Sequence, residues 1–349
     1  MVAFGVLDLE RALRAIHLDV VALLLGVMIL GGYLTEAKFF RYTAWWLLTR
    51  APTARALLWA IVFASGLLSA LLVNDTVCLM LTPLVLAVAV EARLPALPFL
   101  IALATSSNIG GVITFTGNPQ NMLIGTAAQG TLIYVGYFVR ALPVGLVGLA
   151  ANAILIEGLF RKDFKEMGKL ADRAVPRPYL DRKLAGRALA CLALSVLLAS
   201  LGYSLAGASI TAAAACVLVA RVAPRAVFEK LDWSLLMFFA GLFVLVEGVT
   251  SVPEVQSLLA SLADPHGSEA AQLAAFGAAT VVGSNLVSNV PFVLVALKSV
   301  PTLPDPAAGY VLLACASTLA GNLTMFGSVA NIIVLEGAGP HGEIGFWRF

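Results

Sequence analysis

The chain has 349 residues, of which 60% are hydrophobic and only 12% charged, with a mean hydropathy of +0.94 and a net charge of +2. A soluble surface needs about 25% charged residues, so this composition excludes a soluble enzyme and predicts an all-α polytopic membrane protein. The balanced charge argues against a nucleic-acid partner.

Residues 1–19 carry Asp8, Glu10, Arg11, Arg14 and Asp19 and no apolar h-region, which is not the pattern of a signal peptide. A first span is expected at about 20–35. The stretch 56–90 is uncharged except for Asp75, and 94–139 carries no charge. A further span covers about 138–160. Residues 188–220 suit two short helices broken at Gly202 to Gly207. A span at 233–250 follows, then uncharged runs at 270–297 and 306–335. Lys and Arg gather on the cytoplasmic side of membrane proteins. Loop 161–187, with nine of them, is therefore placed inside, together with 38–55. Loop 251–269 has Glu254, Asp264 and Glu269 but neither Lys nor Arg, and is placed outside. Trp45 and Trp46, beside Arg41 and Arg50, read as interface anchors, and Glu36, Glu157, Glu247 and Glu336 as interfacial.

The chain matches itself. At an offset of 215, Gly26 pairs with Gly241, Thr35 with Thr250, Ser69 with Ser284 and Asn74 with Asn289. At 210, Ser107 pairs with Ser317, Gly111 with Gly321, Thr114 with Thr324, Gly117 with Gly327 and Asn121 with Asn331. The charge map runs the first span inward and its counterpart at 233–250 outward. The two halves therefore read as an inverted repeat, the architecture of secondary transporters. The division is 1–160 for the first repeat, 161–187 for a basic cytoplasmic loop and 188–349 for the second repeat.

Four polar breaks interrupt the apolar runs. Two are candidate re-entrant hairpins, Val73-Asn74-Asp75-Thr76, which two short crossing helices would also explain, and its counterpart Ser284-Asn285-Leu286-Val287-Ser288-Asn289-Val290-Pro291, with tips at Asn74-Asp75-Thr76 and Ser288-Asn289-Val290-Pro291. Two are candidate unwound stretches in broken transmembrane helices, 106–121 and 317–331, with a new helix starting near Pro119 in the first. Unwound carbonyls and Asn, Ser and Thr oxygens can coordinate Na⁺, and half-helix N-termini favour an anion. The candidate ion- and substrate-binding residues are thus Asn74, Asp75 and Thr76 at the first tip and Ser288, Asn289 and Pro291 at the second. Ser107, Asn108, Gly111, Thr114, Thr116, Gly117, Asn118 and Asn121 stand in the first break. Thr318, Asn322, Thr324, Gly327, Ser328 and Asn331 stand in the second. Asp75 is the sharpest of these, because a carboxylate at helix-centre depth costs roughly 2.5–3.5 kcal/mol and usually serves an ion path.

No P-loop, HExxH or GxSxG motif is present. The four cysteines and three histidines lie too far apart for a zinc site or a disulfide framework, so no metal, cofactor or catalytic residue is expected beyond a coupling Na⁺ or H⁺, and ATP-driven transport within this chain is not expected.

The stretches LLVNDTVCLMLTPLVLAVAV, ATSSNIGGVITFTGNPQNMLIG, SNLVSNVPFVLVALKSVP and LAGNLTMFGSVANIIVLEG, in that order, resemble the ion transporter superfamily. That group includes citrate transporter-like and divalent-anion/sodium symporters, arsenical pump membrane proteins and NhaD-type antiporters. The resemblance implies a homodimer in the plasma (inner) membrane, with a scaffold and a mobile transport region that moves elevator-fashion. It places one ion site at each tip with its neighbouring break, and the substrate between the tips. Secondary transport of a small anion, coupled to Na⁺ or H⁺, is the function it implies. The anion would be an organic di- or tricarboxylate such as citrate, or an oxyanion such as arsenite; Na⁺/H⁺ antiport is the alternative. The 215 offset also predicts two helices before residue 6, and Phe138-Val139-Arg140 matches Phe346-Trp347-Arg348 where one more helix would begin. The pattern is that of a chain truncated at both ends.

Overall fold

The computed structural model describes residues 1–2, 5–166, 176–252 and 268–339. Most of loop 251–269, the middle of loop 161–187 and the Phe346-Trp347-Arg348 match lie outside them. The described residues are helical and include no strand. After a short α1 (Leu9–Arg14) come α2 (Leu18–Glu36), α3 (Phe39–Arg50), α4 (Ala54–Leu71), α5 (Asn74–Glu91), α6 (Leu97–Gly111), α7 (Pro119–Ala127) and α8 (Tyr134–Leu159). A short α9 (Arg161–Glu166) leads on to α10 (Arg182–Ser200), α11 (Leu205–Ala220), α12 (Pro224–Phe228) and α13 (Trp233–Thr250). The last four are α14 (Glu269–Val287), α15 (Asn289–Ala296), α16 (Pro306–Ala320) and α17 (Val329–Ala338). Among the described residues, seven helices are long and apolar enough to cross a membrane: α2, α4, α5, α8, α10, α13 and α14. This is a polytopic membrane protein.

Helix starts recur in register. Leu18 and Trp233 open α2 and α13, and Asn74 and Asn289 open α5 and α15, each pair 215 residues apart. Pro119 and Val329 open α7 and α17, 210 apart. The reasons are local. Asn118 caps α7 by accepting from the Asn121 amide at 2.8 Å, and Pro119 takes the first helical position, where no donor is needed. Ser328 caps α17 by accepting from the Ala330 amide at 3.3 Å.

Two groups of helices pack separately before they meet. The pair α10 and α11 packs on α2, while α4 to α8 and α14 to α17 surround the breaks. Small residues allow the closest approach: a Cβ added at Gly110 would run into the backbone at Gly66, so α4 and α6 touch main chain to main chain.

The structure adds two features to the sequence pattern. The charged stretch 38–55 contains α3, whose Trp46 is 43% exposed. Arg50 lies over the Trp46 ring, and Arg177 over Tyr42 and Trp45. The second hairpin also differs from the first, because α15 has 8 residues where α5 has 18. Lys298, just beyond α15, instead donates to Thr250 Oγ1 at 3.1 Å and lies 3.7 Å from Glu247, which binds it to α13.

Candidate functional site

The first break separates α6 from α7. Its α6 half has 15 residues, roughly 22 Å of helix. The tip between α4 and α5 reaches this break, where the Asn74 amide donates to the Gly117 carbonyl at 2.9 Å. Beyond that level α7 still runs on for 9 residues. The hairpin tip is therefore inside the protein: Val73 is fully buried and Asn74 is 2% exposed.

Each break is pinned by one asparagine, in the same way. Asn121 Nδ2 donates to the Gly111 carbonyl at 2.9 Å and the Thr114 carbonyl at 3.1 Å. Asn331 Nδ2 donates to the Gly321 carbonyl at 2.8 Å and the Thr324 carbonyl at 3.2 Å. The Gly111 and Gly321 carbonyls are ones an α-helix leaves unpaired at its C-terminus, and the Thr114 and Thr324 carbonyls lie in the turns beyond. Gly117 folds onto Gly111, and Gly327 onto Gly321, at distances that leave no room for a Cβ. In the first break Tyr137 on α8 completes the pin. Its hydroxyl donates to the Val112 carbonyl and accepts from Asn121 Nδ2, and its ring stacks on Phe115 at 4.0 Å.

The two breaks hold each other. Asn108 on α6 donates to Asn331 Oδ1 at 3.0 Å and accepts from Ser328 Oγ at 2.9 Å. Its repeat equivalent, Thr318 on α16, donates to Asn121 Oδ1 at 3.5 Å and accepts from Asn118 Nδ2 at 3.2 Å. The same pair of contacts thus runs in both directions across the repeat. Asn108 also donates to Asn322 Oδ1 at 2.8 Å and accepts from Asn74 Nδ2 at 2.9 Å. Asn322 returns a bond from its Nδ2 to the Thr105 carbonyl at 3.1 Å.

The hairpins are tied in by Thr114 and Thr324. Thr114 Oγ1 donates to the Ala70 carbonyl at 2.6 Å and lies 3.2 Å from Thr116 Oγ1. Thr324 Oγ1 donates to Asn285 Oδ1 at 3.3 Å, and Asn285 stands 215 residues after Ala70. Ser107 Oγ lies 2.9 Å from Cys78 Sγ.

Hydrogen-bond capacity divides these polar side chains into saturated ones and ones with an unpaired atom. Asn108, Asn121 and Asn331 have both side-chain ends engaged. Among the described residues, five buried side-chain atoms lack a partner: Tyr33 Oη, Ser69 Oγ, Asn74 Oδ1, Ser284 Oγ and Asn289 Oδ1. Four of these five are repeat mates, Ser69 with Ser284 and Asn74 with Asn289. Leaving such an atom unpaired costs about 1–3 kcal/mol. Other buried hydroxyls avoid that cost by bonding back to their own helix, as Ser65, Thr82, Thr105 and Thr280 do at 2.7–2.8 Å. Ser69 and Ser284 do not.

The remaining candidates sit differently. Asp75 is 4% exposed, in the first turn of α5, and has no ion pair among the described residues. Thr76 faces α2, with its Cγ2 3.6 Å from where a Gly31 Cβ would be. Ser288 has φ of 75° and ψ of 158°, a left-handed backbone that favours glycine, while Pro291 lies half-buried in the first turn of α15.

Sequence reasoning passed over several residues of this cluster. Ser69 was visible as a repeat match but lies in unbroken helix, and Ser284, expected to open the second hairpin break, lies within α14, which runs unbroken to Val287. Gln120 donates to Thr318 Oγ1 at 3.3 Å, and Asn152 on α8 to Thr105 and Ser106, both at 2.9 Å. Gln120 lies inside the 106–121 break without having been singled out, and no spacing marks Asn152.

A polytopic helical protein with two mutually clasped helix breaks and paired, unsatisfied buried oxygens has the build of a membrane transporter. The model of the citrate transporter family matches residues 1–320, and the chain belongs to that family, within the ion transporter superfamily. It is 31% identical to the silicon efflux transporter of Oryza sativa subsp. japonica, over 97% of this chain and 83% of that one. Identity is 25% with a Dictyostelium discoideum protein provisionally named transporter arsB, over 100% and 82%. It is 29% with the 46 kDa membrane protein of Mycobacterium leprae, over 95% and 81%. The relatives are named as transporters or membrane proteins, and this chain is a transporter rather than an enzyme.

Proposed function

We propose that this chain is an Na⁺-coupled secondary transporter of a small anion, with one cation site in each inverted repeat. The observation that carries the reading is the pairing of the orphan oxygens. Ser69 and Asn74 supply a hydroxyl and an amide oxygen to the first site, and Ser284 and Asn289 supply the same pair to the second. Neutral oxygens replace a hydration shell but do not take up a proton at physiological pH, which favours Na⁺ over H⁺ at these positions. The pinned residues Ser107, Asn108, Gly111, Thr114, Gly117, Asn121, Thr318, Asn322, Thr324, Gly327 and Asn331 keep the breaks open around them.

The anion belongs between the tips. Four helix N-termini, those of α5, α7, α15 and α17, open there, with Asn118 and Ser328 as caps. Each presents about half a positive charge. Among the described residues no Lys or Arg is buried. Helix dipoles without a cationic side chain suit a small, weakly charged oxyacid such as arsenite better than a tricarboxylate such as citrate. The name of the silicon efflux relative, silicon being carried in water as an uncharged oxyacid, points the same way. Movement is by the elevator route, the group around the breaks sliding on α2, α10, α11 and α13, in a homodimer in the plasma membrane. Asp75, buried and without an ion pair, supports Na⁺/H⁺ antiport as a second reading.

Proteoliposome uptake decides between them. The proposal expects arsenite movement that rises with an imposed Na⁺ gradient. Na⁺ flux driven by a pH gradient with no anion present would establish antiport instead.

A further inference from the structure

α3 is the one helix of the described residues that joins a row of aromatic and basic side chains to an open groove. One wall of that groove is α3, with Arg41, Trp45 and Leu48; another is the C-terminal part of α5, with Leu84, Val88 and Glu91; Pro176 and Pro178 border it as well. The floor is aliphatic and half-buried, while Arg41 and Glu91 at the rim are exposed. Neither Arg41 nor Glu91 has an ion pair among the described residues, although both line the same groove. Arg177, which likewise has no ion pair among the described residues, donates to Tyr42 Oη at 3.0 Å and lies over the Trp45 ring, so its guanidinium is engaged by the aromatic wall, while Arg41 makes neither contact.

We infer that this groove binds a phospholipid with a zwitterionic, primary-amine headgroup. The occupant is set by charge complementarity. An unpaired guanidinium matches a phosphate. An unpaired carboxylate across the groove matches an ammonium, and the aliphatic floor takes the acyl chain. An anionic lipid without an amine would leave Glu91 facing a phosphate, and a trimethylammonium headgroup cannot donate a hydrogen bond to it. An amphipathic helix rich in Arg and Trp lies at the level of phospholipid headgroups, so such a lipid is at hand. The bound lipid would join α3 to α5, the helix that carries Asn74 and Asp75 at its other end.

Native mass spectrometry of the purified full chain tests this, with dioleoyl phosphatidylethanolamine, phosphatidylglycerol and phosphatidylcholine offered in equal amounts. The wild type should retain phosphatidylethanolamine about three- to five-fold more than either competitor, the factor of one partly exposed ion pair. Glu91→Gln should abolish its advantage over phosphatidylcholine. Arg41→Gln should lower retention of all three lipids by a similar factor. Both residues are exposed, so neither change threatens folding, and circular dichroism checks that. Equal retention of the three lipids by the wild type, or a phosphatidylethanolamine preference that survives Glu91→Gln, overturns the assignment.

Discussion

Ser69→Ala and Ser284→Ala reverse the usual sign of a buried polar deletion. Removing a satisfied buried hydroxyl costs the protein about 0.5–1.5 kcal/mol. Ser65 is such a case, one turn before Ser69 on the same helix, with its Oγ donating to the Ile61 carbonyl at 2.7 Å. Ser69 and Ser284 Oγ have no partner, so each already bears about 1–3 kcal/mol of desolvation cost in the ion-free protein. Alanine removes that cost and a single oxygen's volume with it. In Na⁺-free buffer, each variant should therefore be as stable as the wild type or more so by about 1 kcal/mol, while Ser65→Ala should be less stable. Na⁺ reverses the order. A ligand at 100 times its Kd adds about 2.7 kcal/mol to the state that binds it. The wild type should gain melting temperature on Na⁺ addition, and each alanine variant should gain clearly less. Thermal unfolding of detergent-purified protein in choline and in sodium chloride reads both effects. A destabilised Ser69→Ala in choline, with an undiminished Na⁺ response, refutes the assignment of Ser69 as an open ligand.

Other variants probe other parts of the site. Asp75→Asn should leave the melting temperature within a few degrees of the wild type and abolish or uncouple transport; uptake with unchanged Na⁺ and pH dependence makes Asp75 structural. Asn108→Leu removes four side-chain hydrogen bonds, to Asn322, Asn331, Asn74 and Ser328, and should cost about 3–6 kcal/mol whether or not Na⁺ is present, as denaturant unfolding would show. Gly110→Ala drives a methyl group into the Gly66 main chain and should lower the yield of folded protein, read by size-exclusion chromatography; a normal yield would mean that α4 and α6 can separate. Cysteine labelling should find loop 161–187 cytoplasmic and loop 251–269 external; the same side for both ends the inverted-repeat reading.

The breaks were legible because Gly, Asn, Ser and Thr are costly inside an apolar run. Two matching series of them, each at a constant offset, 215 for one and 210 for the other, have few explanations. Helix starts at Asn74 and Asn289, and at Pro119 and Val329, follow directly from that pattern. Which polar residue does what was not legible. Asn74 and Asn108 look alike in sequence, yet Asn108 is saturated by four neighbours and Asn74 keeps an open oxygen. That difference depends on contacts between residues more than 200 positions apart. Ser69 gave a repeat match without a break and Ser284 marked a break that begins only after Val287, and the absence of a back-bond is what distinguishes both from Ser65. The helix α3 was hidden because its charges mark a loop to any count of hydrophobic residues, while its Phe39, Phe40, Leu47 and Leu48 side chains pack on the hydrophobic core.

The most direct measurement is the stoichiometry of ²²Na⁺ bound to the purified full chain. Two paired sites predict two ions per chain, falling to one in Ser69→Ala/Asn74→Ala and to one in Ser284→Ala/Asn289→Ala. No saturable Na⁺ binding by the wild type, or two ions still bound by both double variants, would contradict the account.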